Sequence, residues 1–514
     1  MQTAIQAKNL TKRFDQVVAN DNVTFDVRWG EVLALLGENG SGKTTLMNML
    51  FGIYFPDSGA IEVDGKAVSI RSPKDAHDLG IGMVHQHFKL VDVFTATENI
   101  VLGLKGSAFL DRKAAAKEIS QICRKYGFDL DPNKKVYDMP VSEKQTVEIV
   151  KLLYRGADVL ILDEPTAVLT AQESEKLFAT LTKLKADGKA VIIITHKLNE
   201  VLSVSDRVHI LRKGQSIGTL TTAETNQQEL TEMMVGHAVS LAIDRPVVEN
   251  KEDRLDIKDL TCINPDGTKA LNHVTFTLQS GEILGVAGIA GSGQRELCEA
   301  IAGLYPVAHG TILYHQADDS ITEIVGKTPR AIKEMGITMA FVPEDRLGMG
   351  LVADMDMTDN VLLRYYDSGK SPFVDRKSSR SLAEKLVRRL KIVTPGVSKP
   401  VRRMSGGNVQ KVLIGREIES APRVLIAAYP VRGLDINSSY AIYDLLNKQK
   451  EAGVAVLFIG EDLDVLLELA DRILVLNGGK VTGIVDGATA TKEQIGLLMT
   501  SHADTGNHPE VAHE

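Results

Sequence analysis

Short apolar runs of strand length recur along the chain, and each leads into a glycine turn or a stretch with helical spacing. Val32-Leu33-Ala34-Leu35-Leu36 reads as a buried strand, and residues 45–51 beyond it as a helix closed by Gly52. A second strand lies within residues 80–90 and ends at the polar Gln86. Residues 110–155 are more polar and largely helical. Val159-Leu160-Ile161-Leu162 is again a buried strand, and the helix after it carries Leu177, Leu181 and Leu184 on one face. Val191-Ile192-Ile193-Ile194-Thr195 forms the next strand. Strands and helices in this order predict an open α/β sheet.

From about residue 255 the pattern starts again. Glu31-Val32-Leu33 recurs as Glu282-Ile283-Leu284, Gly37 corresponds to Gly288, Gln86 to Glu344 and Asp163 to Ala428. The extra residues of the second copy are expected around residues 317–320 and in the helical region after Glu344. A repeat of this length is a duplicated domain, not a solenoid. The expected organisation is a first domain over residues 1–240, a linker over 241–254 containing Pro246 and a charged cluster, a second domain over 255–500, and a polar, disordered tail over 501–514.

The chain has 514 residues, 44% apolar and 25% charged, an ordinary soluble mixture. Its net charge of -8 argues against nonspecific nucleic-acid binding. Cys123, Cys262 and Cys298 have no metal-site spacing and read as reduced thiols. Residues 1–8 do not resemble a signal peptide, and no apolar run approaches the ~20 residues that span a bilayer. These features predict a cytosolic chain whose membrane role, if any, runs through partners.

The first strand feeds Gly37-Glu38-Asn39-Gly40-Ser41-Gly42-Lys43-Thr44, which fits the pattern of glycine, four residues, glycine, lysine and serine or threonine. Glycines let backbone N–H groups wrap phosphate oxygens at a helix N-terminus. Lys43 supplies a charge for the terminal phosphates, and the Thr44 hydroxyl can hold Mg²⁺. Asp163 and Glu164 end a buried strand, where such sheets place their chemistry. Asp163 suits a Mg²⁺ shell and Glu164 the polarising of an attacking water. Gln86 is placed to reach a metal or water, and His196 to sense the terminal phosphate. Phe14 reads equally as a base-stacking ring and as a strand-edge packing residue. His85 and His87 read as polar loop residues, since they lack a third ligand.

The second copy keeps the loop glycines, as Gly288-Ile289-Ala290-Gly291-Ser292-Gly293, but has Gln294 for Lys43 and Arg295 for Thr44. Ala428 and Tyr429 replace the two acids, Glu461 replaces His196 and Glu344 replaces Gln86. Yet it alone has Ser405-Gly406-Gly407, a turn opening a helix, where the first copy has Pro140-Val141-Ser142, and Asp435 where the first has Thr170. Random decay would not be expected to spare Ser405, Gly406, Gly407 and Asp435. Head-to-tail pairing of the halves would give one complete site and one damaged site.

Taken together, these motifs resemble a tandem ABC-transporter ATPase over nearly the whole chain: Gly37 to Thr44 resembles Walker A, Gln86 the Q-loop, Asp163-Glu164 Walker B, His196 the H-loop and Ser405-Gly406-Gly407 the signature. The resemblance implies two RecA-like α/β domains, each with a helical subdomain and an antiparallel β edge. It also implies ATP and Mg²⁺ as cofactors. Gly37, Asn39, Gly40, Ser41, Gly42, Lys43, Thr44 and Thr45 would hold the nucleotide, with Phe14 stacking on adenine. Ser405, Gly406, Gly407 and Asp435 would complete the site. Thr44, Gln86 and Asp163 would bind the metal, and Glu164, His196 and Gln86 would act in hydrolysis. Fused, unequal halves resemble the ATPases of nucleoside and monosaccharide importers. Gly82-Met83-Val84-His85-Gln86-His87-Phe88 with Leu90-Val91-Asp92, and Leu152-Leu153-Tyr154-Arg155-Gly156-Ala157-Asp158, resemble the nucleoside branch more. The implied partners are two integral-membrane permease subunits and, indirectly, an extracytoplasmic substrate-binding protein. The implied location is peripheral, on the cytoplasmic face of the membrane. A groove beside Gln86, with Phe88, Leu90 and Val93, is the expected docking place for a permease helix. Departures from the family pattern are the eroded first signature, Tyr429 and Val431 where glutamine and threonine are common, and Val409 where glutamine is. A soluble twin ATPase acting on ribosomes or DNA fits less well, because such proteins carry basic arms or zinc cysteines.

Overall fold

The parallel strands are apolar throughout because both faces of their sheet are covered. In the first half, Leu33, Leu35, Ile161, Ile192 and Ile194 join a cluster with Leu46, Met47 and Leu50, while the alternate residues Val32, Leu160, Leu162, Val191 and Ile193 join another with Leu177, Leu181 and Leu184. The two-residue period of a strand sends successive side chains to opposite faces. Leu181 is fully buried, so its truncation to alanine would cost about 2–5 kcal/mol.

The computed structural model describes residues 2–15, 17–85, 88–104, 111–166, 169, 171–195, 197–237, 242–289, 291–316, 318, 320–366 and 374–500. The chain divides into two compact units, residues 1–240 and 241–514. The first has a six-stranded sheet in the order Gln215–Thr221, Arg207–Arg212, Val32–Leu36, Ala190–Thr195, Val159–Asp163 and Ile81–Val84. It is parallel except for the outer hairpin of the first two strands. A four-stranded antiparallel sheet, in the order Val17–Arg28, Thr3–Phe14, Ser58–Val63 and Lys66–Val68, forms the other layer. The helices Ala96–Val101, Arg112–Tyr126 and Val141–Tyr154 build a small subdomain around Ile100, Ile119, Val147 and Val150.

The second unit repeats the plan. Its six-stranded sheet runs Met339–Val342, Val424–Ala428, Ala455–Ile459, Ile283–Gly288, Arg472–Asn477 and Lys480–Asp486, and its antiparallel sheet runs Lys269–Gln279, Asp253–Ile263, His309–His315 and Ile321–Glu323. The subdomain helices are Met357–Tyr365, Arg376–Arg389 and Gly406–Ile418. Asp111 and Asp375 cap equivalent helices, each accepting from two backbone N–H groups.

Several details depart from the sequence reading. The helix after the glycine loop starts two residues earlier, at Lys43, and ends at Leu50 with Phe51 as its cap. Within the stretch 241–254 the Arg245 guanidinium donates to the carbonyls of Leu467 and Ala470, and Asn447 donates to that of Asp244. One of the second unit's extra segments falls in the turn between His309–His315 and Ile321–Glu323. Another is a π-helical turn, Arg346–Gly350, with no counterpart among the described residues of the first unit. The tail expected at 501–514 lies outside the described residues.

Candidate nucleotide site and its degenerate twin

In the first unit the strand Val32–Leu36 runs into the loop and the loop into the helix Lys43–Leu50. Gly42 caps that helix at φ 98°, a left-handed conformation in which a Cβ would strike the carbonyl of Ala19. Only glycine fits there. Gly40 sits at φ 81° and faces open space. Asn39, Gly40 and Thr44 are exposed, Thr45 is half-buried, and the Ser41 hydroxyl is buried without a protein partner. Lys43 is buried and folds back over the loop, its Nζ donating to the carbonyls of Gly37 at 2.6 Å and Glu38 at 3.0 Å. Burial holds its ammonium below the usual lysine range, while the charges of Glu164, Asp163 and Glu38 pull it back up. The lysine ammonium is thus held within the loop by backbone oxygens.

Asp163 closes the strand Val159–Asp163, two places from Val32–Leu36 in the sheet with Ala190–Thr195 between them. Burial, reinforced by the Glu164 carboxylate, pushes its carboxyl up to about 6 against the pull of Lys43. Glu164 sits at φ 46° while its N–H donates to the Ile194 carbonyl at 2.9 Å. A non-glycine residue held left-handed in this way stores strain at the point where the strand turns. Sequence reasoning passed over Glu200. Its carboxylate accepts from the hydroxyls of Thr166 at 2.6 Å and Thr195 at 3.3 Å, and Lys197 donates to the carbonyl of Thr166. The two strand ends flanking position 196 are thereby tied together. Gln86, His87 and His196 lie outside the described residues. His85 packs edge-on against Phe51, with ring centroids 5.8 Å apart. Phe14 ends its strand 40% exposed, T-shaped against Tyr54 at 5.1 Å and with the Lys12 ammonium 5.6 Å from its ring. Phe88 and Leu90, expected in an open groove, are half-buried against apolar clusters, and Val91 and Val93 are the exposed residues nearby.

The second unit reproduces this backbone with other chemistry. Gly293 caps the helix Gln294–Ile301 at φ 99°. Gln294 is buried where Lys43 would be and folds back to the Ile289 carbonyl at 3.0 Å. Tyr429 takes the place of Glu164 at φ 48°, and its N–H donates to the Ile459 carbonyl at 3.0 Å. Its ring carries no base: burial pushes the phenol far up, with Glu461 and Glu344 adding to the effect. The residues matching Gln86 and His196 are Glu344 and Glu461, and the guanidinium of Arg432 pairs with both, with Nε 3.1 Å from Glu461. Arg432 thus clasps the ends of two strands with a fixed cation. The sequence signal was two glutamates replacing neutral residues in one half, a gain of negative charge that calls for a nearby cation.

The Ser405-Gly406-Gly407 turn opens the 13-residue helix Gly406–Ile418. Asp435 caps the next helix, accepting from the N–H and hydroxyl of Ser438, both at 2.8 Å. A Cβ on Gly407 would lie 2.6 Å from the Ser438 hydroxyl and 3.3 Å from the Asp435 carboxylate, so the structure brings this whole group together. In the first unit the matching helix starts after Pro140, with no side-chain cap.

Two P-loop units in one chain, one with its lysine, hydroxyl and acids and the other with the same backbone stripped of them, define a twin-cassette nucleotide hydrolase. The family model described as ABC transporter matches residues 20–167 and 271–431, and the chain belongs to that family as an ATP-binding transport ATPase. It is 43% identical over 503 residues to the nucleoside import ATP-binding protein NupA of Lactococcus lactis subsp. cremoris, covering 97% of this chain and 98% of that protein. It is 42% identical over 506 residues to the guanosine import ATP-binding protein NupO of Bacillus subtilis, with 97% and 98% covered. The glucose import ATP-binding protein TsgD13 of Haloferax volcanii is 38% identical over 535 residues, with 97% and 96% covered. Among the described residues no helix is long and apolar enough to cross a membrane.

Proposed function

We propose that this chain hydrolyses ATP at one site and uses the cycle to drive nucleoside import through two separate permease subunits, fed by an extracytoplasmic binding protein. The observation that carries the reading is the division of parts: Lys43, Thr44, Asp163 and Glu164 are kept in one half, and the Ser405-Gly406-Gly407 turn with Asp435 in the other. Loop N–H groups from Gly37 to Thr45 bind the phosphates, and Lys43 leaves its carbonyl partners for the terminal phosphate. Phe14 stacks on the adenine. The buried Ser41 hydroxyl without a partner and the exposed Thr44 hydroxyl suit a polar ligand seated in the cradle. Asp163, Thr44 and Gln86 would hold a Mg²⁺ ion, which when bound supplies charge neutralisation on the phosphates. Glu164 accepts the proton of the attacking water, and His196 holds the terminal phosphate in line with it. Ser405, Gly406 and Gly407, with Asp435, complete the phosphate shell. The chain works as a peripheral subunit on the cytoplasmic face, with the exposed Val91 and Val93 on its permease-facing side.

Nucleosides are favoured because the 43% and 42% relatives carry nucleoside or guanosine import in their names. A monosaccharide cargo is the second reading, supported by the 38% full-length similarity to a glucose import protein. Uptake of labelled nucleosides, pentoses and hexoses in cells with and without the gene separates them. Loss of nucleoside uptake alone is the expected result. Loss of sugar uptake alone would overturn the cargo and leave the ATPase chemistry intact.

A further inference from the structure

Within the first unit a small polar network joins the ends of two adjacent strands. Thr166 lies three residues beyond the strand Val159–Asp163, and Thr195 ends its neighbour Ala190–Thr195. The Thr166 hydroxyl donates to Glu200 Oε2 at 2.6 Å, the length of a charge-assisted bond, and the Thr195 hydroxyl donates to the same oxygen at 3.3 Å. The Lys197 ammonium stands 3.1 Å from Glu200 Oε1 and donates to the Thr166 carbonyl at 3.3 Å. Both threonines are buried, and the Glu200 side chain is only 14% exposed.

The carboxylate does not serve its own helix. Glu200 is the third residue of the helix Leu198–Val204, whose N-cap is Lys197. An acid in that position commonly turns back to the N–H of the N-cap residue. Here the Lys197 N–H donates to the Thr195 hydroxyl at 3.0 Å, and the carboxylate is left to the two strand ends. In the second unit Thr166, Thr195 and Glu200 are matched by Val431, Gly460 and Val465, none of which has a side chain that can make these bonds. The three positions differ together, as expected if they form one device, because an acid kept without its hydroxyls would be buried and unsatisfied. The device occurs in the half that has Glu164 and His196.

We propose that Glu200 is a positioning residue for ATP hydrolysis, holding the two strand ends so that Glu164 and His196 keep one mutual geometry. This rests on the reading of those two residues as the acceptor of the water proton and the holder of the terminal phosphate. The reach is short: Thr166 is two residues beyond Glu164, and Thr195 and Lys197 flank position 196. The Glu164 N–H already closes onto the Ile194 carbonyl, and the network adds a second tie between the same strands. Glu200 works through the threonines, not on the nucleotide.

Steady-state ATPase kinetics on the full chain test this. Glu200→Ala should lower kcat about 10- to 100-fold, the scale of a misplacement of about 1 Å, and change the KM for ATP less than about 3-fold. Glu200→Gln keeps an oxygen for both hydroxyls and should return kcat to within about 3-fold of the parent. Thr166→Val should lower kcat as Glu200→Ala does, the pair together should cost no more than the larger single loss, and Thr166→Ser should match the parent. An unchanged kcat, a loss carried by KM, or additive losses would overturn the proposal. So would Glu200→Gln as poor as Glu200→Ala. Should Glu200→Ala fail to fold, Thr166→Val against Thr166→Ser decides on the same terms. A merely structural tie would lower the urea midpoint followed by Trp29 and leave kcat alone. Glu164→Gln is the parallel control. If it abolishes turnover while Glu200→Ala does not alter kcat, the hydrolytic reading stands and the role of Glu200 is refuted. If Glu164→Gln turns over like the parent, that reading has failed and the proposal falls with it.

Discussion

The helix behind each glycine loop begins at a glycine with φ 98° in one half and 99° in the other, and the strand beside it turns at a left-handed residue with φ 46° or 48°. The residues on these matched frames are Lys43 and Gln294, and Glu164 and Tyr429. A strained position is normally retained because its chemistry repays the strain. Here the strain persists under a tyrosine in place of the glutamate. The left-handed turn is therefore part of how this sheet edge is built: in both halves the N–H of the turned residue closes onto the neighbouring strand, at Ile194 or Ile459. The second half also replaced the polar tie of Glu200, Thr166 and Thr195 by Val465, Val431 and Gly460, and installed the Arg432 clasp instead. Geometry was conserved between the halves and the charged and hydroxyl side chains of the loop and strand end were not.

The largest expected difference lies at the turned residues themselves. Glu164→Gln should lower ATP turnover by about 10²–10⁴-fold, the usual scale of a lost general base, while ATP still binds. Tyr429→Phe should leave turnover nearly unchanged. Steady-state ATPase assays on the full chain measure both, and a comparable loss in the two variants would end the asymmetric account.

Much of this contrast was legible in the sequence, because it consists of residue identities at matched positions. Lys43 against Gln294 and Asp163 against Ala428 need only an alignment of the chain with itself. The strands were legible because a sheet covered on both faces selects unbroken apolar runs such as 159–162 and 191–194. Other features were not. Arg432 is an ordinary arginine until the fold puts it between Glu344 and Glu461, which are more than a hundred residues apart in the chain. The turn Arg346–Gly350 was hidden for a related reason: a π turn has no simple apolar period. Proline and charge dominate the stretch 241–254, and composition does not encode the pairing of Arg245 with the carbonyls of Leu467 and Ala470.

A stability difference of about 3 kcal/mol is expected from acid. His209 in the first half is buried, with ring nitrogens 2.8 Å from the Thr219 hydroxyl and 3.1 Å from that of Ser216, and burial beside Arg207 pushes it down to about 4. The matching residue of the second half is Leu474. The unfolded chain takes up a proton below about pH 6.5 and the folded one only near 4, so the unfolded state gains as pH falls through that window. Below pH 4 both states are protonated and the loss levels off. At about 1.4 kcal/mol per unit, the first half should lose about 3 kcal/mol between pH 7 and 4 from this group. The single tryptophan, Trp29, lies in the first unit, so its fluorescence during urea unfolding follows that half. His209→Gln should remove the extra slope, and an unchanged slope would refute the assignment.

Gly407→Ala should cost roughly 10- to 100-fold in turnover, the scale expected when a catalytic group is misplaced by about 1 Å. The added Cβ would come within 2.6 Å of the Ser438 hydroxyl, which Asp435 holds, so the turn or the cap must move. Ser142→Ala, on the eroded turn of the other half, should have little effect. Equal losses from the two changes would mean that both turns serve the hydrolytic site, and the comparison of the halves would have to be redrawn.

The smallest effect is expected from Arg432→Ala. The clasp links Glu344 and Glu461, but its three side chains are 52%, 39% and 49% exposed. Solvent screens such pairs heavily, so their removal should cost the second unit only about 1 kcal/mol. The residual cost has a specific form: two glutamates are left near each other without their shared cation. Their repulsion should fade as salt shortens the Debye length from about 10 Å at 0.1 M to about 3 Å at 1 M. It should also be relieved by adding Glu344→Gln, so the double variant should be more stable at low salt than Arg432→Ala alone. Calorimetry resolves the unfolding step that Trp29 fluorescence does not report, and that step should shift with salt in Arg432→Ala and hardly at all in the double variant. A shift confined to the step followed by Trp29 would place the clasp's energy in the wrong half. No shift at low salt would show that Arg432 is only packed between the two strand ends, and the second site would then be inert through its missing groups alone.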